Sequence, residues 1–145
     1  MKIAIGSDHA GFKLKEGIKA FLKKNGYQVT DFGTTSEESV DYPDFAYPVA
    51  KSVAQKKYDR GILICGSGVG VTIVANKVKG IRAVNAYDVY IARQSREHGD
   101  CNILCLAGRK VKKVKALKIV KAWLETPFSN DARHLRRIRK IEKLR

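Results

Sequence analysis

The sequence predicts an α/β fold with a five-stranded parallel sheet covered by helices on both faces. Three observations predict it. Short apolar runs such as Gly61-Ile62-Leu63-Ile64 read as strands buried on both sides. Longer segments between them place apolar residues at helical spacing, as Leu14, Ile18, Phe21 and Leu22 do. The two kinds of segment alternate along the chain, the pattern of a parallel sheet joined by crossover helices. At 145 residues the chain reads as one domain, 1–145, large enough to bury a real core.

Lys2 to Ser7 reads as the first strand. Asp8 is placed to cap the helix that follows, and Asn25-Gly26 to stop it. Tyr27 to Phe32 is the second strand, followed by a polar loop from Gly33 to Ser39. Asp41-Tyr42-Pro43 opens a helix, with proline in its first turn and Phe45, Ala46, Val49, Ala50 and Val53 as its buried stripe. The central strand ends at Cys65, and a short helix is expected over Val71 to Lys77. Ile81 to Ala86 is the fourth strand, Tyr87 to His98 a helix ended by Gly99, and Asn102 to Ala107 the fifth strand. Lys110 to Leu124 is a helix with a basic outer face carrying Lys112, Lys113, Lys115, Lys118 and Lys121. After a break at Thr126 to Asn130, Asp131 starts a last helix with Leu135, Ile138, Ile141 and Leu144 along one side. No strand follows it, and its apolar seam suits packing on a second subunit.

Chemistry concentrates at Cys65-Gly66-Ser67-Gly68-Val69-Gly70, between the central strand and its helix. Strand, glycine turn and helix make an anion cradle, because the turn exposes backbone N–H groups and the helix N-terminus adds positive potential. Cys65 stands at the strand's C-terminal end, where open α/β sheets bind ligands. Three other glycine motifs are absent. The dinucleotide fingerprint needs glycine where Val71 stands, a Walker loop needs Gly-Lys-Ser/Thr, and a cysteine phosphatase loop needs arginine at position 71. Taken alone, the stretch fits a tight turn with a buried cysteine as well as it fits a catalytic loop.

The three cysteines, 65, 101 and 105, form no Cys-x-x-Cys pair, which suits a reduced, cytoplasmic setting. Cys101 and Cys105 read as core residues around the fifth strand. No apolar run is long enough to span a membrane, and the first strand is too short for a signal peptide. Twenty-nine Lys and Arg against 14 Asp and Glu give a net charge of +15. That excess permits polyanion binding. No nucleic-acid motif accompanies it, and much of it lies on helices where a solvated basic face is the commoner explanation.

Six motifs read together as a set: Gly6-Ser7-Asp8-His9-Ala10-Gly11, Asp41-Tyr42-Pro43, Cys65 to Gly70, Ala75-Asn76-Lys77, Arg96-Glu97-His98 and Arg133-His134-x-x-Arg137. In order and spacing they closely resemble ribose-5-phosphate isomerase type B, within the sugar-phosphate isomerases that include the galactose-6-phosphate isomerase subunits. The resemblance covers essentially the whole chain. It implies a Rossmann-like three-layer sandwich and metal-free, cofactor-free interconversion of ribose 5-phosphate and ribulose 5-phosphate. It also implies a homodimer with shared active sites, or a tetramer built from such dimers. By similarity, Cys65 is the base that moves a proton between C1 and C2 through an enediolate, and His98, with Asp8 nearby, assists ring opening. Ser67 and the amides of Gly66, Gly68, Val69 and Gly70 face the enediolate oxygens. His9, Arg109, Arg133, His134 and Arg137 are the phosphate-side residues, with Arg133, His134 and Arg137 from the partner chain. Tyr42 lines the sugar pocket and Asn76 supports the site.

The chemistry is reasonable on its own terms. A thiol ordinarily titrates near ~8.5, and a helix N-terminus lowers that value. Preorganised donors suit an enediolate, and arginine suits a phosphate dianion. Relatives often carry asparagine where this chain has Gly99, so residue 99 is left out of the site. Others use a glutamate base at the position of Val71 with no cysteine at the strand end; here Cys65 places the chain in the cysteine branch. A six-carbon sugar phosphate, such as allose or galactose 6-phosphate, is the alternative substrate. His98 argues against an obligate heteromeric galactose-6-phosphate subunit. A non-enzymatic polyanion binder is the alternative from another class.

Overall fold

The structure, a computed structural model, describes residues 1–144. Its five strands are β1 (Lys2–Ser7), β2 (Gln28–Asp31), β3 (Arg60–Cys65), β4 (Ala83–Asn85) and β5 (Ile103–Ala107). Six helices connect and follow them: α1 (Phe12–Lys24), α2 (Pro43–Ala54), α3 (Val69–Asn76), α4 (Val89–Gly99), α5 (Lys113–Glu125) and α6 (Ala132–Glu142). The strands form one sheet in the order β2-β1-β3-β5-β4, and every neighbouring pair is parallel. This is the expected sandwich, with β3 at its centre.

Alternation along the strands divides the core into two layers. Ile62 and Ile64 point to the face covered by α1, α4 and α5, where Leu14, Ile18, Leu22, Ala92, Ile119 and Trp123 pack. Leu63 and Cys65 point to the opposite face, against Ala46, Val49, Val71 and Ala75 of α2 and α3. The side-chain period of two thus sends Cys65 towards the start of α3 and away from α1.

The chain switches sides between β1 and β3: β2 lies outward of β1 on one side, and everything after β2 lies on the other. Ligands of open α/β sheets bind at such a switch point, outside the strand C-termini. The edge strand β2 is pinned to α1 from below. Lys15, fully buried, sets its Nζ 2.5 Å from Asp31, and Lys19 sets its own at 2.8 Å. Against the upward push of burial, these two ammonium groups hold the Asp31 carboxyl below its ordinary value.

Several element boundaries differ from expectation: α4 starts at Val89 and includes Gly99, with Asp100 in a left-handed conformation after it, and α5 starts at Lys113 rather than Lys110. Helix α3 begins at Val69 rather than Val71, because Gly68 adopts a left-handed backbone with φ of 78° and turns the chain directly into it. β4 is shorter than Ile81 to Ala86, and pairs only with β5. On its other side, Asn76 bonds both the N–H and the C=O of Ala83 and closes that edge. Asp8 also caps differently: its Oδ1 accepts from Ala10 N and Gly11 N in a separate 3-10 turn that precedes α1.

Candidate active site

Three strand ends meet at one edge of the sheet. Asp8 N donates to Ile64 O at 3.2 Å, Gly108 N to Cys65 O at 2.8 Å, and Arg109 N to Gly66 O at 3.1 Å. These bonds fix the segments after β1, β3 and β5 side by side. The loop from Gly66 to Gly68 springs from the middle of them.

Cys65 is buried, and its Sγ accepts the Gly68 N–H at 3.2 Å. The Ser67 hydroxyl oxygen accepts from Val69 N, while the Thr72 hydroxyl donates to Gly68 O at 2.6 Å. The next N–H groups of α3's first turn have no acceptor within the helix, so the loop offers its donors outward. Arg109 lays its guanidinium over Gly66. Tyr42, where α2 begins, presses its ring on Gly70: a Cβ there would lie 2.6 Å from Tyr42 Cζ. Glycine at 70 is what lets the phenol approach the loop.

His9 follows Asp8 in the 3-10 turn and accepts the Val40 N–H on its Nδ1 at 3.1 Å. With Nδ1 acting as acceptor, the neutral ring carries its proton on Nε2, which is free to donate. Asp8, His9, Tyr42, Cys65, Gly66, Ser67, Gly68, Val69, Gly70 and Arg109 therefore lie along one edge of the sheet.

His98, Arg133, His134 and Arg137 do not join them. Helix α4 runs antiparallel to the strands, so its C-terminal His98 reaches the edge where β5 starts, not where it ends. The segment after α5 reaches the same edge. Arg60, the first residue of β3, donates to Trp123 O and Leu124 O, and Arg96 donates to Thr126 O. β3 spans six residues, so the two edges are about 16 Å apart at ~3.3 Å per step. Within one chain, His98 and Asp8 therefore stand at opposite edges of the sheet.

At that second edge the His134 ring is buried and stacks on His98, with centroids 4.2 Å apart. Its Nδ1 pairs with the Ser129 hydroxyl at 2.7 Å. Burial first, then the neighbouring charges of His98 and Arg133, push the His134 imidazole below its ordinary value. Arg133 and Arg137 stand one turn apart on α6, both exposed. The seam of α6 stays partly open, with Ile141 50% and Leu144 73% exposed. The helix is tied to its own chain by the Arg82–Glu142 ion pair.

Asn76 also lies away from the loop. Both ends of its amide are taken by Ala83 at the start of β4, so it braces α3 rather than facing the sulfur. The other cysteines are chemically quiet: burial pushes the Cys105 thiol up to about 12 and the Cys101 thiol up to about 11. A groove of about 1100 Å³ between α3, β4 and α6, lined by Gly80, Arg82, Cys101 and Leu144, includes none of the loop residues. Among the described residues no cluster of three His, Cys, Asp or Glu side chains is arranged to hold a metal. Among the described residues no helix is long and apolar enough to cross a membrane.

Sequence reasoning missed two residues at the loop. Asn85 Nδ2 and the Tyr87 hydroxyl both donate to Ser67 O, at 3.2 and 2.6 Å. The available signal was position: both stand at the C-terminal end of a strand, on the same edge as Cys65.

Comparison with known proteins supplies the context. Residues 3–141 match the family model described as Ribose/Galactose Isomerase. The chain is 48% identical over 140 residues to a ribose-5-phosphate isomerase B of Escherichia coli (strain K12), covering 97% of this chain and 93% of that protein. The solved ribose-5-phosphate isomerase B of Clostridium thermocellum superposes with a TM-score of 0.97 at 55% identity, over 99% of this chain and 96% of that one. That of Mycoplasma genitalium, solved with bound ribulose-5-phosphate, superposes at 0.94 with 43% identity, over 98% and 94%.

Proposed function

The chain belongs to the Ribose/Galactose Isomerase family, and from that premise we propose that it interconverts ribose 5-phosphate and ribulose 5-phosphate. The relatives named for this reaction align along nearly its whole length, and one of them holds the ketose product. The observation that carries the chemical reading is the Cys65 sulfur, set at the end of the central strand and met there by the Gly68 N–H.

In this reading the Cys65 thiolate takes the C2 proton of the open-chain aldose and returns it to C1. The electron pair left by the proton passes into a cis-enediolate charged on O1. The O2 hydroxyl proton is transferred to O1, and protonation of C1 by the Cys65 thiol as the charge on O2 collapses forms the C2 carbonyl. Positioned bases of this kind contribute roughly 10²–10⁴ in rate. The outward N–H groups of the loop and the Ser67 hydroxyl stabilise the enediolate oxygens, each donor being worth about 10²–10³. Asp8 and His9 border the sugar from the β1 side, Tyr42 from the α2 side, and Arg109 supplies positive charge. No step calls for a metal or an organic cofactor.

One edge of a single chain lacks the group that opens the furanose ring. At the opposite edge, His98 at the end of α4 and Arg133 and Arg137 on α6 are exposed around the buried His134, beside a seam that their own chain leaves partly open. A homodimer that lays this cluster of one copy over the Cys65 loop of the other completes the site. His98 then serves in ring opening and Arg133 and Arg137 in binding the phosphate.

The test is a coupled assay of purified protein with ribose 5-phosphate and allose 6-phosphate. Turnover of the pentose with kcat/KM well above that of the hexose is the expected result. A preference for the hexose would move the assignment within the family, and no turnover of either would remove it.

A further inference from the structure

The Ser67–Gly68 peptide unit is held at both of its polar ends. Its N–H, on Gly68, donates to Cys65 Sγ at 3.2 Å. Its C=O, on Ser67, accepts from the Tyr87 hydroxyl at 2.6 Å and from Asn85 Nδ2 at 3.2 Å. The N–H and C=O of a trans peptide point in opposite directions. Two donors on one side therefore aim a single donor at the sulfur on the other.

The fit of Asn85 to this peptide is close. Gly68 has φ of 78°, and a Cβ on it would lie 2.4 Å from Asn85 Oδ1. That same Oδ1 is buried without a hydrogen-bond partner. Leaving a buried acceptor unmet is unfavourable, so the amide is kept against the loop for the bond its Nδ2 donates. Both gripping residues come from the end of β4 and the turn after it, outside the loop they hold.

We propose that Asn85 and Tyr87 are positioning residues for Cys65: by holding the Ser67 carbonyl they orient and polarise the peptide whose N–H stabilises the thiolate. Donation to the carbonyl strengthens donation by the N–H of the same peptide, because hydrogen bonds in a chain polarise one another. An N–H bonds an ionised sulfur more strongly than a neutral one, so the grip favours the thiolate over the thiol. The proposal rests on Cys65 as the proton-transferring base.

The experiment reads thiolate absorbance near 240 nm against pH, without substrate, in the parent, Tyr87→Phe, Asn85→Ala and the double variant. Each trace is taken as the difference from the same protein carrying Cys65→Ala. Cys101 and Cys105, with thiols pushed up to about 11 and about 12, stay protonated through the neutral range. Each single variant is expected to cut the thiolate fraction at a given pH about threefold and the double variant further, on the scale of one neutral hydrogen bond apiece. kcat should fall in parallel while KM stays constant. Tyr90→Phe, on the exposed surface of α4, should match the parent.

An unchanged thiolate fraction in Tyr87→Phe and Asn85→Ala overturns the proposal. So does a raised KM with the thiolate unmoved, which would make these residues substrate contacts. Tyr87 is 40% exposed and the substitution removes only its hydroxyl, so this variant carries the test if Asn85→Ala does not fold. The absorbance concerns the resting enzyme and stands apart from catalysis. If Cys65→Ala kept its turnover, the base assignment would fail, and the thiolate readout would still judge the grip.

Discussion

The imidazole rings of His98 and His134 stack with their centroids 4.2 Å apart and their planes 30° apart, at the edge of the sheet opposite Cys65. This one contact joins two motifs that are distant in sequence, the end of α4 and the start of α6. Ser129 N, donating to Glu97 O, closes the same junction from the connecting segment. The pair is a built feature of the chain, assembled where its own sulfur cannot reach it.

The junction should be sensitive to acid. Burial, then His98, Arg133 and Arg137, push the His134 imidazole down, opposed by Asp131 with its Oδ2 at 3.9 Å. The folded value lies below the unfolded one, so the unfolded chain takes up the proton first. The stability this group contributes is therefore full above about 6.5, the ordinary histidine value, and is lost as pH falls below it. Urea midpoints between about pH 7.5 and pH 5 should fall more steeply in the parent than in His134→Gln. Equal slopes in the two proteins would show that His134 does not carry the effect.

Cys65→Ala should lower kcat by about 10²–10⁴, the usual contribution of a positioned base, while leaving KM and the unfolding midpoint close to the parent's. The sulfur is small and lies at the end of its strand, so its loss leaves a minor defect in packing. Isothermal titration with ribulose 5-phosphate checks that binding survives. Turnover within about twofold of the parent would reduce Cys65 to a core residue.

Gly70→Ala separates two opposed effects. In the first turn of α3, alanine gains at most about 1 kcal/mol of helix propensity over glycine. Its Cβ, however, would stand 2.6 Å from Tyr42 Cζ. The phenol is 39% exposed and can swing outward, so the clash is relieved by displacing it. Thermal stability should change by less than about 1 kcal/mol, while KM rises several-fold. A lowered melting temperature with unchanged KM would mean that Tyr42 holds its place and the helix yields instead.

Much of this was legible in the sequence, and the failures have physical causes. The strands were visible because buried parallel strands are continuous apolar runs, and β3 with its glycine loop was the clearest of them. Asp8 and Arg109 fell at strand C-termini, so their placement near Cys65 followed from the rule for α/β sheets. His98 comes shortly before β5, so chain direction already places it at the edge opposite Asp8 of the same chain. Asn76 looked like a site residue, yet its amide serves the unpaired side of an edge strand. Asn85 and Tyr87 carried no motif, since holding one carbonyl needs only a donor at the right place.

Activity should be independent of divalent ions. The positive potential at the loop comes from backbone N–H groups, the start of α3 and the Arg109 guanidinium. Exhaustive chelation followed by the coupled assay should leave kcat within experimental error. Loss of activity that a divalent ion restores would require a metal in the mechanism.

The strongest consequence of the divided site concerns subunits. Cys65→Ala and His98→Ala chains should each be nearly inactive on the cyclic sugar phosphate. His98→Ala alone should recover on substrate presented already open, because its defect precedes proton transfer. Suppose the two variants are mixed in equal amounts and allowed to exchange. If each site takes Cys65 from one copy and His98 from the other, a mixed dimer has one site with both defects and one with neither. About half the dimers are mixed and half their sites are whole, so about a quarter of the parent activity should return. If one chain supplied both residues to its own site, every site would keep one defect and mixing would restore nothing. The geometry opposes that outcome, since β3 alone separates the two residues by about 16 Å at ~3.3 Å per residue. Confirmed exchange, by mass spectrometry of differently tagged chains, with no return of activity would rule out the shared site.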